Sequence, residues 1–131
     1  MANQPVDNLA EYLQNNEIGT LATDLFKAYL PAEPDSVVVC YDTGGFEPDV
    51  YLPTGLPTFQ IYVRSVDYTT GKAKVDEIVA LVNRKANIQL VSGGVYFYYL
   101  TLMSEPVHIG RDSNERDEFS INVRSMIRRS D

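Results

Sequence analysis

Three side chains in this sequence have the reach to do chemistry, and the first is a carboxylate. Residues 37–45, VVVCYDTGG, place Asp42-Thr43-Gly44 directly after an apolar run. Far downstream, residues 106–112, PVHIGRD, place two apolar residues, Val107 and Ile109, ahead of Gly110. An aspartate so placed could do acid–base work only beside a second carboxylate. Two adjacent carboxylates then share one proton and divide the acid and base roles. The second side chain is His108, the one histidine of the chain. It lacks a ligand set at metal spacing, and a single imidazole makes neither a metal site nor a triad. The third is Cys40, the one cysteine. It lies inside the apolar run and reads as a small buried hydrophobe. One thiol makes no intrachain disulfide, which fits a reducing compartment. There is no phosphate-binding glycine loop, dinucleotide fingerprint or zinc pattern, so no cofactor or metal is expected.

The Asp-Thr-Gly and the later Val107, Ile109 and Gly110 together resemble the paired signals of retroviral-type aspartic proteases, which act as dimers. Three features depart from that pattern. Gly45 follows the triplet where those enzymes carry Ala or Ser. Their flexible hairpin flap is replaced mid-chain by a strong helical pattern. Their helix after Gly-Arg is replaced by RDSNERDEFSINV, which reads as loop then strand. The competing reading is that Asp42 opens a turn, as Asp commonly does.

Residues 57–87, PTFQIYVRSVDYTTGKAKVDEIVALVNRKAN, are the stretch the other segments must serve. Phe59, Ile61 and Val63 alternate with Gln60, Tyr62 and Arg64, the period of a strand. A break at Tyr68-Thr69-Thr70-Gly71 follows, with Thr69 or Thr70 as helix cap. Val75, Ile78, Val79, Val82 and Ala86 then form one helical stripe, with Arg84 and Lys85 suited to the helix C-terminus and Asn87 as its stop. Such a helix needs a sheet to lie on.

The remaining segments supply one. Val6, Leu9, Ala10 and Leu13 predict a first helix that starts at Pro5 and stops at Asn15-Asn16. Residues 19–30 fit helix or strand, and a strand making a hairpin with residues 37–41 is expected. The β-branched run at 37–41 reads as a buried strand, with 42–45 as a turn. Residues 44–56 form an irregular loop with Phe46, Tyr51 and Leu52 apolar but without a period. Such a loop is either folded onto its own domain or waiting for a neighbour. A short strand at 88–91, a turn at 92–94 and a central strand at 95–103, apolar on both faces, come next. Tyr96, Phe97, Tyr98 and Tyr99 have no basic residues among them in sequence, so packing is expected there rather than base stacking. Residues 106–110 are extended, 111–117 form a charged loop, and Phe119, Ile121, Val123 and Ile127 mark a last strand. The expected fold class is α+β, with a mixed, mainly antiparallel sheet and two helices packed on one face. One domain is expected over 1–131.

The 131 residues carry a formal charge of -7, unevenly spread. Residues 1–56 hold nine acidic groups against Lys27, a net -8, and residues 57–131 hold ten basic against nine acidic, a net +1. An acidic chain does not read as a general DNA binder. The asymmetry serves solubility or, more sharply, lets identical subunits meet acidic face to basic face, which favours a head-to-tail ring. No run of about 18 apolar residues is present, so no membrane span is expected. The N-terminal residues do not have the pattern of a secretory signal.

Taken together, EYLQNNEIGTLATDLF, the stretch from 29 to 87 and VYFYYLTLMSEPVHIGRDSNERDEFSINVRSMI resemble the tail-terminator family of long-tailed bacteriophages, often labelled minor capsid or head–tail joining proteins. The carrying positions are Pro57, Ile61 to Arg64 and Tyr68. Later ones are Pro106, Ile109-Gly110-Arg111-Asp112 and Glu118-Phe119-Ser120-Ile121-Asn122. The resemblance implies a non-enzymatic virion protein at the head–tail junction, assembled in the host cytoplasm. A hexameric ring would cap the tail tube, stop its polymerisation and meet a head-completion protein, while DNA passes through without sequence-specific binding. A head–tail connector one layer up is the neighbouring alternative. Phe46, Tyr51, Leu52, Arg64, Arg111, Asp112 and Arg116 are the expected contact residues between subunits or proteins, with Arg64, Arg111 and Arg116 as charge partners for the acidic half.

Overall fold

In a computed structural model, which describes residues 4–129, the strand expected at 57–64 is the longer β3, Thr54–Ser65. It pairs antiparallel along its length with the last strand, β7, Asp117–Arg128. Every pair in this ladder matches odd with odd and even with even: Phe59 faces Val123, Ile61 faces Ile121 and Val63 faces Phe119. The two apolar sets therefore fall on one face together. A slip of one residue would turn one set out to solvent, so hydrophobicity fixes the register.

Around this pair the sheet runs β1 (Leu25–Lys27), β2 (Val37–Phe46), β3, β7, β5 (Tyr96–Leu102) and β4 (Lys85–Gln89). β6, Val107–Arg111, pairs with the first half of β7 beside the stretch that β5 occupies. All ladders are antiparallel except β1 with β2. Helices α1 (Pro5–Asn15) and α2 (Tyr68–Val82) cover one face. Leu9 and Leu13 of α1 and Val75, Ile78 and Val82 of α2 share one core with Phe59, Ile61, Val63, Phe97, Leu100, Phe119 and Ile121. The α+β expectation holds, with two helices on a seven-stranded, mostly antiparallel open sheet. Among the described residues no helix is long and apolar enough to cross a membrane.

Local chemistry explains where the chain departs from its periodicity. The cap of α2 is Asp67, whose carboxylate accepts from the Thr70 amide at 2.7 Å, rather than Thr69 or Thr70. That hydrogen bond to the charged form holds the Asp67 carboxyl below its ordinary value. α2 also ends earlier than expected. Asn83 is extended, and its side-chain oxygen accepts from Thr101 Oγ1 at 3.0 Å and the Leu102 amide at 3.3 Å, which draws the chain towards β5. Arg84 takes a left-handed turn (φ 58°), and Lys85 and Ala86 begin β4 instead of closing the helix.

The hairpin expected between residues 19–30 and 37–41 does not form. Thr20 takes up the chain locally: its carbonyl accepts from the amides of Thr23, Asp24 and Leu25, and its amide donates to Asp24 Oδ1 at 2.7 Å. Only Leu25–Lys27 remains extended, and it pairs parallel with β2, Leu25 opposite Val38. The strand at 95–103 is interior, between β7 and β4, but it is not buried on both faces. Phe97 and Leu100 enter the core while Tyr96, Tyr98 and Tyr99 stay half-buried, because hydroxylated rings tolerate a wet face.

Gly71 shows how tightly α2 lies on β7. A Cβ there would run into the Phe119 ring and stand 3.0 Å from Ser65 Cβ. Alanine favours helices over glycine, yet Gly71→Ala is expected to lower unfolding free energy by about 1–3 kcal/mol through overpacking. Urea denaturation of the two chains checks the sign.

Candidate functional site

Asp42 lies in β2, which continues through the expected turn to Phe46. The ladder with β3 shifts register between Asp42 and Gly45, so Asp42-Thr43-Gly44-Gly45 is a bulge in a strand rather than its end. The Asp42 carboxylate is exposed and accepts from the Gly44 amide at 3.0 Å, and Thr43 Oγ1 pairs with Thr58 Oγ1 at 2.7 Å. Gly45 has φ 150°, and a Cβ there would fall on the Leu56 carbonyl oxygen. The glycines thus serve the bulge. The later Val107, Ile109 and Gly110 lie in β6, with β3 and β7 between them and β2. The two halves of the protease-like signal do not meet within the chain. Cys40 is fully buried, and desolvation pushes its thiol up to about 12, which removes it as a nucleophile at neutral pH.

His108 lies on β6. Its Nε2 is 3.0 Å from Asp117 Oδ1, and its ring stands edge-on to Tyr68 at 5.1 Å and tilted against Phe119 at 5.0 Å. Among the described residues no group of three His, Cys, Asp or Glu could hold a metal ion.

Two of the arginines expected as contact residues are turned inward. Arg64 is 3% exposed and donates to the carbonyls of Pro34 (2.7 Å), Asp35 (3.2 Å) and Ala32 (3.4 Å). Arg116 is buried too, and it donates to the Ala32 carbonyl at 2.6 Å and to the carboxylates of Asp112 (2.8 Å) and Asp35 (3.3 Å). Residues 32–35 are therefore strapped to the sheet by two guanidinium groups. Arg116 does find a partner in the acidic half, but inside its own chain. Asp112 shapes the loop after β6: its Oδ1 accepts from the amides of Asn114 and Arg116, each at 2.9 Å. Arg111 stays largely exposed, 3.8 Å from Glu115 and from Asp117.

The irregular loop is shorter than expected, 47–53, because β2 and β3 extend into it. It is not folded onto its own sheet. Val50 is 89% and Tyr51 91% exposed, with Phe46 and Leu52 more than half exposed. Asp49 Oδ1 accepts from the amides of Tyr51 (2.7 Å) and Leu52 (3.1 Å), so the apolar tip is held in a defined turn.

A further surface was not legible in the sequence. On β7, Val123 and Ile127 enter the core, so Arg124 and Arg128 project from the opposite face. There Arg128 lies over the Tyr96 ring at 4.6 Å and near Tyr98 at 5.8 Å, and Arg124 lies 5.8 Å from the Tyr99 centroid. Tyr96 and Tyr98 meet edge to face at 5.3 Å. The basic groups missing between the tyrosines in sequence are supplied by the neighbouring strand. The alternation of arginine with the core set in 117–128 was the available signal, and the register against β5 was not.

The family model described as "Bacteriophage tail terminator protein" matches residues 12–127 of the chain. No curated protein matches it.

Arg64→Met should cost about 3 kcal/mol of stability, because buried carbonyls lose a charged donor. Denaturant unfolding measures it, with faster proteolysis near residues 32–35 as the local sign. The Asp112 carboxyl is held below its ordinary 3.8, first by the Arg116 amide, then by the Asn114 amide and the Arg116 guanidinium. A lowered folded value means that its stabilisation is full above about pH 4 and is lost as the pH falls through that value. The Arg116 side-chain NMR signal should follow this titration, and Asp112→Ala should abolish the inflection.

Proposed function

The chain belongs to the bacteriophage tail terminator family, and from that membership we propose that copies of it close into a ring, six by expectation, on the end of the tail tube. The family makes it a structural component of a phage tail. The observation that carries the ring reading is the apolar tip Phe46, Val50, Tyr51 and Leu52, fixed in shape by Asp49 yet left outside the core. Burying each large side chain of this kind contributes about 1.5–3 kcal/mol. A protein that acts by association has use for such a tip.

The ring ends tube growth because its outer surface differs from the tube layer beneath, so no further layer finds its match. That outer surface would receive the head-completion protein. An acidic lumen would let DNA pass, since repelled phosphates do not stick, and residues 1–56 carry the net -8 that such a lining needs. Chemistry is not required of Asp42, whose carboxylate caps its own bulge. The role is non-enzymatic in this reading.

Electron microscopy of tails assembled with and without the protein tests this. Overlong tails in its absence are expected. Tails of normal length that fail to join heads would instead put the protein one layer up. Asp42→Asn should leave tail length unchanged, and a peptide-cleaving activity lost in that variant would overturn the reading.

A further inference from the structure

We propose that loop 47–53 of one copy docks on the tyrosine–arginine face of the next copy, an inference that rests on the ring reading above. Both surfaces are half of a contact. The face carries Arg124 and Arg128 stacked on Tyr96, Tyr98 and Tyr99. Neither guanidinium is in a salt bridge among the described residues, although the chain as a whole is strongly acidic. Stacking holds these cations in place without neutralising them, so the face is organised for an anion flanked by apolar groups.

The loop has that composition. Glu47 and Asp49 flank the exposed Phe46, Val50, Tyr51 and Leu52. Tyr51 and Val50 are too exposed to touch the face of their own chain. A second copy brings the missing half of each surface. The two surfaces differ, so the contact is heterologous, and heterologous contacts build rings when the rotation closes. Aromatic and arginine groups are also the types that anchor interfaces when buried.

Two variants separate the halves. Val50→Ser with Tyr51→Ser disables the loop, and Arg124→Glu with Arg128→Glu disables the face. Circular dichroism checks that each folds, and Arg124→Gln with Arg128→Gln replaces the second variant if it does not. Crosslinked mass is read for the native chain free and on tail tubes, and for the variants alone and mixed. Each variant alone should lose the ring. Mixed one to one, they should give a heterodimer and nothing larger, because such a pair has one intact loop opposite one intact face.

Assembly of either variant at native mass, a mixture that stays monomeric, or a native chain monomeric both free and on tubes would overturn the docking. A DNA oligonucleotide bound by the native chain and lost in the arginine variant, with ring mass unchanged, would make the face a nucleic-acid surface and also overturn it. If both variants still give tails of normal length, the docking falls while the capping role stands. Normal tails in the complete absence of the protein would remove the capping role itself.

Discussion

The ladder between β3 and β7 is the constraint on which the rest of the structure depends. Its even-with-even register puts Phe59, Ile61, Val63, Phe119, Ile121 and Val123 on one face. That face is then too apolar to stay wet, and both helices lie on it. The same register commits the alternate residues to the other face. Tyr62, Arg64, Arg124 and Arg128 are there because their neighbours are in the core. The Tyr62 hydroxyl reaches Glu118 across the ladder, and burial followed by that hydrogen bond pushes its pKa well up.

The face without helices is divided between two treatments. Near β2 it is covered. Val37, Val39 and Tyr62 form a small second cluster with Phe26 and Tyr41 packed against it. Arg64 and Arg116 bind residues 32–35 close by. Near β5 the face is open, and its arginines lie on tyrosine rings instead of on carboxylates. The two ends of one sheet face thus spend the same residue type differently. Backbone carbonyls anchor the first pair of guanidinium groups to the fold. The second pair keeps its charge available.

The Asp-Thr-Gly-Gly segment shows why a short motif needs its surroundings. In isolation it is a candidate for proton-sharing carboxylates. In the fold it is a bulge whose glycines permit backbone that a side chain would block, as Gly45 against the Leu56 carbonyl shows. The bulge lets β2 run on to Phe46 and carry the apolar tip beyond the sheet. A feature that looked chemical is a piece of geometry serving an exposed loop.

Periodicity by itself determined the elements whose hydrophobic sets are long: α1 from Val6 to Leu13, α2 from its stripe, and the alternation in β3 and β7. It also marked Phe46, Tyr51 and Leu52 as apolar residues without a periodic home. Burial of a repeated pattern is a local property, so the sequence carries it. Three things were decided only in three dimensions. Residues 25–27 run parallel to β2 because Thr20 closes a turn before them and the arginine strap lies after them. Arg64 and Arg116 turn inward because carbonyls more than 28 residues away in sequence arrive beside them. The arginines meet the tyrosines because β7 lies next to β5. Each of these depends on which strands become neighbours, and strand neighbours are set by the packing of the whole chain, not by any stretch of it.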